Sequence, residues 1–165
     1  MAATYSFDVV SDFDHQELVN VIDQLRREIS QRYDLKDSNT EIVLEEEKII
    51  ITTASDMTLQ SVETVLLQKT TKRKLSLKIF DFQPAESSSG NKVRQVVHLK
   101  RGLSKELAKK LSKEIRNELK KVTASIQGNS LRITGKSKDE LQLAIEYFRK
   151  KESDLEVPLQ FENYR

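Results

Sequence analysis

The chain has 165 residues, enough for one ordinary domain or two small ones, with 33% charged and 37% hydrophobic residues, a composition that suits a globular protein with much solvated surface. No apolar run is long enough to span a bilayer, no basic-then-apolar leader opens the chain, and no cysteine is present. Those absences exclude disulfides, thiolate metal sites and cysteine nucleophiles, and lead us to expect a cytoplasmic protein with no membrane partner.

Charge is uneven along the chain. Residues 1–91 carry 10 basic and 16 acidic side chains, net −6, and residues 92–165 carry 18 and 10, net +8. A basic second half directs the search for an anionic partner to that half.

The first strand is Thr4 to Val10, with Tyr5, Phe7 and Val9 alternating onto one face. Asp14 with Glu17 reads as a capping box for a helix striped by Leu18, Ile22, Leu25 and Ile29. Strands near 41–46 and 48–53 follow, then a helix capped by Ser55 with Leu59, Val62 and Leu66 inward and Lys69, Lys72, Arg73 and Lys74 at its exit. Basic residues there oppose the negative end of the helix dipole. A strand from Leu75 to Phe82 closes the first module, and Pro84 to Asn91, with its Ser87-Ser88-Ser89-Gly90 run, reads as a linker.

The same order then repeats. Val93 to Leu99 is a strand, Ser104 opens a helix striped by Leu107, Leu111, Ile115 and Leu119, and the segments 122–127 and 130–135 form a hairpin about Gly128-Asn129. Alternation sends Val122, Ala124 and Ile126 to the core and leaves Arg132 and Thr134 outside. Ser137 and Glu140 make a further capping box before a helix carrying Leu141, Ala144, Ile145 and Phe148, and Val157 to Asn163 closes the chain. Two βαββαβ units in tandem give an α+β fold of two ferredoxin-like modules, 1–91 and 92–165, each an antiparallel four-stranded sheet with both helices on one face.

Three segments are candidate ligand contacts: Arg32-Tyr33-Asp34-Leu35-Lys36, Lys100-Arg101-Gly102 ahead of a helix N-terminus, and Thr134-Gly135-Lys136-Ser137. The last lacks the first glycine of a P-loop, since position 130 is Ser. The helix after Ser104 adds a basic stripe of Lys105, Lys109, Lys113, Arg116 and Lys120 at helical spacing, able to track phosphates or simply to face solvent. His15 and His98 have no partners at metal-ligand spacing, and no catalytic motif occurs, so neither a metal, a cofactor nor an enzymatic activity is expected.

Several motifs resemble the YajQ family: Ser6-Phe7-Asp8-Val9-Val10-Ser11, Arg32-Tyr33-Asp34-Leu35-Lys36, Val93-Arg94-Gln95, Lys100-Arg101-Gly102-Leu103, Gln127-Gly128-Asn129, Arg132-Ile133-Thr134-Gly135-Lys136 and the ending Pro158 to Arg165. The resemblance runs from end to end. It implies a bacterial protein of two RNP-like domains that exchange strands 4–10 and 92–99, and one that binds nucleotides, with purine nucleotides, cyclic di-GMP and RNA as the expected ligands. On that basis Arg32, Lys36, Arg94, Lys100, Arg101, Arg132 and Lys136 are expected phosphate contacts, Tyr33 a base-stacking ring, and Gln95 and Gln127 hydrogen-bond partners for base or ribose edges. Asp37 departs from the glycine common in the family, and its carboxylate would weaken a phosphate contact there. The alternative is an adaptor whose polar sheet faces dock a partner such as a transcription regulator or a chaperone.

Overall fold

A computed structural model describes residues 4–165, which form two compact units. One comprises residues 13–100; the other joins residues 4–12 to 101–165. The chain passes from one to the other at Asp12–Phe13 and again at Lys100–Arg101.

Within 13–100, helix α1 (His15–Gln31) buries Leu18, Val21, Ile22, Leu25 and Ile29, the stripe that a 3.6-residue period dictates. Asp14 caps it by accepting the N–H groups of Gln16 and Glu17. The Glu17 carboxylate does not close the expected box; it reaches Arg73 at 3.3 Å. Strands β2 (Glu41–Leu44) and β3 (Lys48–Thr53) form a hairpin in which β2 ends two residues short of the expected 46, and the Glu45 N–H donates to the Lys48 carbonyl across the turn. Helix α2 (Asp56–Lys72) has a full capping box between Ser55 and Thr58 and buries Leu59, Val62, Val65 and Leu66.

The expected strand 75–82 shortens to β4 (Phe80–Phe82). Lys74 turns the chain at φ 62°, the Leu75 N–H still bonds the Thr70 carbonyl, and a 3₁₀ turn over Leu77–Ile79 sends Ile79 into the core. The serine-rich segment is not a linker. Glu86–Ser88 is strand β5, a turn with Gly90 and Asn91 at positive φ follows, and Lys92–Leu99 returns as β6 with Glu86 opposite Arg94. Strand β6 lies between β3 and β4, so this sheet runs β2-β3-β6-β4, with β5 also pairing β6.

In the other unit the central strand is β1 (Tyr5–Val10), paired with β8 on one side and β9 on the other. Its Phe7 and Val9 are fully buried beneath α3 (Lys105–Glu118) and α4 (Lys138–Glu152), among Leu111, Ile115, Ala144 and Phe148. Strands β7 (Thr123–Gln127) and β8 (Ser130–Gly135) join through Gly128-Asn129; Gly128 at φ 60° and Asn129 without positive φ make a type II′ turn. The sheet order is β7-β8-β1-β9, with β9 (Gln160–Glu162) shorter than the expected 157–163. The Leu159 N–H is held by the Glu152 carboxylate at 3.1 Å, and Asn163 turns away at φ 56°. Ile126 is 40% exposed instead of buried, because β7 is an edge strand. At Ser137 the box is displaced by one residue: Glu140 accepts the N–H of Lys136.

Recounted by unit, 13–100 holds 13 basic and 14 acidic residues, net −1, and the other unit 15 and 12, net +3. The polarity of the linear halves nearly vanishes. Strand β6 with Lys100 takes three cations into the first count, and β1 with its exit takes Asp8 and Asp12 into the second.

Candidate functional site

Both helices of the 101–165 unit cover one face of its sheet, and period-two alternation sets what the other face presents. Across register, Ser125 lies opposite Arg132, Arg132 opposite Asp8, and Asp8 opposite Glu162. Thr123, Thr134 and Ser6 form the next row, and paired backbone bonds between Ser6 and Arg165 extend it to the chain's last residue. The open face is therefore a field of hydroxyls and amides around two arginines.

Its centre is a fixed network. Arg132 Nε donates to Asp8 Oδ1 at 3.0 Å, and Asn163 Nδ2 donates to Asp8 Oδ2 at 3.0 Å. The Arg132 hydrogen bond holds the Asp8 carboxyl below the usual aspartate range against the opposing effect of burial, with Asn163 and the Arg165 charge adding to it. In return Asp8 raises the Arg132 pKa further. A guanidinium has five N–H donors, so anchoring by Nε orients the terminal amino groups without exhausting them.

Arg101 and Gln127 lie toward one end of this face. Gly102, at φ 80°, donates to the Ser11 carbonyl at 2.6 Å, and a Cβ there would meet the Asn129 side chain at 2.9 Å, so only glycine lets the loop close on the hairpin tip. Arg101 Nη1 stands 3.7 Å from Asp12 Oδ1, and Gln127 Nε2 donates to Ser125 Oγ at 3.0 Å. Lys136 is exposed beyond the opposite strand end, about 13 Å of strand from Arg132.

In the 13–100 unit, the Arg32–Lys36 segment is a tight turn. The Leu35 and Lys36 N–H groups both bond the Arg32 carbonyl, Leu35 is buried in the core, and Ser38 donates twice to the Leu35 carbonyl. A run of hydroxyl contacts, Ser38–Thr40–Thr53–Thr58, ties the turn to the N-terminus of α2. On this fixed base Tyr33 is 89% exposed, with Lys36 Nζ 5.3 Å from its ring centroid. Arg32 is engaged locally by Asp34 at 2.9 Å and Glu28 at 3.6 Å, and Asp34 is held low by that arginine.

The remaining expected contacts scatter. Arg94 is on the open face of the second sheet, with Thr52 and Glu86 opposite. Gln95 is buried on the helix-side face, and its Nε2 donates to the Gln83 carbonyl at 2.9 Å; this position is tied to packing. Burial pushes the Glu63 carboxyl of α2 up, a shift that Gln95 opposes. Lys100 donates its backbone N–H to Ile79 where β6 ends. The structure thus groups Arg101, Gln127 and Arg132 in one unit and Arg32, Tyr33 and Lys36 in the other. Arg165 escaped sequence reasoning, since no local pattern announces that a terminal residue pairs with Ser6; its one signal was membership of the Pro158–Arg165 ending.

Among the described residues no group of three or more His, Asp or Glu is placed to hold a metal, and no helix is long and apolar enough to cross a membrane. His15 and His98 are exposed. Comparison with known proteins adds the family. Residues 5–165 match the family described as nucleotide-binding protein YajQ-like. A protein of Prochlorococcus marinus strain MIT 9211, named a nucleotide-binding protein, is 78% identical over the whole of both chains. Similarly named proteins of Synechococcus strains CC9605 and CC9902 are 71% and 70% identical, again over full length. With its two antiparallel sheets and an end-to-end match, the chain belongs to the YajQ-like nucleotide-binding protein family.

Proposed function

We propose that this protein binds a nucleotide without transforming it and acts as a regulator, with the open face of the β7-β8-β1-β9 sheet as the contact surface. The observation that carries this reading is the Asp8–Arg132–Asn163 network, which presents an oriented guanidinium amid the hydroxyls and amides of Ser6, Thr123, Ser125, Gln127 and Thr134. Arginine and hydroxyl donors suit phosphate and ribose oxygens. The face has no aromatic side chain, so it offers no base-stacking platform of the RNA-recognition type. Within the 13–100 unit, taken by itself, Tyr33 is a candidate stacking ring, with Lys36 and Arg32 as candidate phosphate contacts beside it. Arg94, Lys100, Arg101 and Lys136 are further cations for phosphate. The names of the relatives support a nucleotide; a purine nucleotide, cyclic di-GMP and short RNA are the ligands to distinguish.

Isothermal titration with cyclic di-GMP, GTP, ATP and a short single-stranded RNA at two salt concentrations tests this. We expect saturable heat with one of them, weaker in higher salt, and about tenfold or greater loss for Arg132→Ala or Arg101→Ala. Urea unfolding of each variant checks that the fold survives, and chromatography after incubation should recover the ligand unchanged. Absence of binding to all four would overturn the proposal. Loss with Tyr33→Ala but not with Arg132→Ala would move the site to the turn.

A further inference from the structure

The edge of the 101–165 sheet has an unusual combination of features. Strand β7, Thr123-Ala124-Ser125-Ile126-Gln127, has no charged residue and no proline. Exposed edges are ordinarily guarded by such residues because their outward N–H and C=O groups are templates for another strand. The edge strand of the other sheet, β2, carries Glu41 and runs into Glu45-Glu46-Glu47. The far edge of this same sheet, β9, carries Glu162.

The register shows which groups face outward. In a two-residue hairpin the flanking pair, Gln127 and Ser130, exchanges both hydrogen bonds, so the N–H and C=O of Gln127, Ser125 and Thr123 point toward β8 and those of Ile126 and Ala124 point away. The Ala124 carbonyl, reached from outside by Arg116 at 3.3 Å, confirms that direction. Ile126 is also 40% exposed at the rim.

Helix α3 lies over this edge, and four of its five cations share one flank. Lys105, Lys109, Lys113 and Arg116 fall within about 80° of arc at 100° per residue, and all four are exposed. Arg116 marks where the flank meets the strand, bonding Ser112 at 2.8 Å as well as Ala124. A strand added outside β7 would turn every second side chain toward this flank and the others toward the plane of Thr123, Ser125 and Gln127.

We propose that the β7 edge is a docking site for an extended acidic segment of a partner protein, which adds as a strand beside Ala124–Gln127 and sets alternate carboxylates against Lys105, Lys109 and Lys113 of α3. Backbone pairing to Ile126 supplies the fixed register, the cations select acidic residues, and the methylene stems of those residues cover the Ile126 side chain. The α3 cations and the outward backbone groups of Ala124 and Ile126 are not among the proposed nucleotide contacts, although Thr123, Ser125 and Gln127 of the same strand are.

The probe is a fluorescein-labelled peptide, Glu-Thr-Glu-Thr-Glu-Thr-Glu, followed by anisotropy with the full chain. Saturable binding that weakens with salt is expected, with no binding of the same peptide carrying Lys for Glu. Ile126→Pro removes an outward N–H without touching the β7–β8 ladder, and the Lys105→Glu, Lys109→Glu, Lys113→Glu variant reverses the flank; each should weaken binding by about tenfold or more. As a readout on the unaltered protein, amide exchange at Ile126 should slow when peptide is added. No saturation by about 1 mM peptide overturns the proposal. So does binding that leaves Ile126 exchange unchanged and is displaced equally by a single-stranded oligonucleotide, which would make the flank a plain phosphate rail.

Discussion

Among the described residues Asp8 is the one carboxylate buried on the open face of its sheet, and two arginines and an asparagine hold its pKa low there. Because its folded pKa is depressed, it contributes stability above the ordinary aspartate pKa, and that contribution is lost as pH falls through the folded value. Urea midpoints measured between about pH 5 and pH 2 should therefore fall, and Asp8→Asn should flatten part of that decline while lowering stability at neutral pH. Glu28, held low by Lys69 at 2.9 Å, acts in the same direction and remains in the variant. An unchanged acid limb in Asp8→Asn would mean that the Arg132 contact has little weight in solution. Tyr33 illustrates how far residue reading reaches. The sequence marks a ring between two cations, and the buried Leu35 explains why the ring projects: one side chain of the turn anchors, the next ones face water.

Among the elements, helices were the most legible. The stripes on α1, α2 and α4 lie where the 3.6-residue period puts them, since a helix is closed by bonds within itself and needs only one apolar face. At α3, Leu107 and Leu119 are only partly buried and Ala108 and Ser112 complete the packed face. Strand ends were less legible, because a strand stops where its neighbour stops or where a side chain captures its N–H, as Glu152 does to Leu159. Caps offer a test at this scale. Ser55→Ala removes the Thr58 N–H acceptor and the capping box of α2 and should cost about 1 kcal/mol in urea unfolding. Leu35→Ala should cost about 2–5 kcal/mol and release the Tyr33 turn, visible as faster amide exchange at Lys36 and Ser38.

For the whole molecule the decisive feature is which strand fills the centre of which sheet. Strand β6 completes the sheet of 13–100, and β1 that of 101–165, in line with what the resemblance to the family implies. A fragment of residues 92–165 alone lacks the strand that separates β8 from β9, along with Phe7 and Val9 of its core. It should remain unfolded by circular dichroism and gain structure when a peptide of residues 1–13 is added. A cooperative unfolding transition in the isolated fragment would contradict this. The same exchange redistributes charge, so the −6 and +8 of the linear halves become −1 and +3 in space. What remains for an anionic partner is local: the α3 flank and the arginines of the open face.

The sequence by itself determined the order of elements, the helix faces, the Gly128-Asn129 hairpin and the family, because each is written in neighbours a few residues apart or in motifs read in order. Tertiary structure alone decided the β5–β6 hairpin, the placing of Arg165 beside Ser6, and the register in which β1 and β6, whose exchange only the family resemblance implied, pair with their neighbours. The physical reason is that β1 and β6 have the same alternating pattern, and a strand's own side chains specify which face is buried but not whose backbone will take its hydrogen bonds.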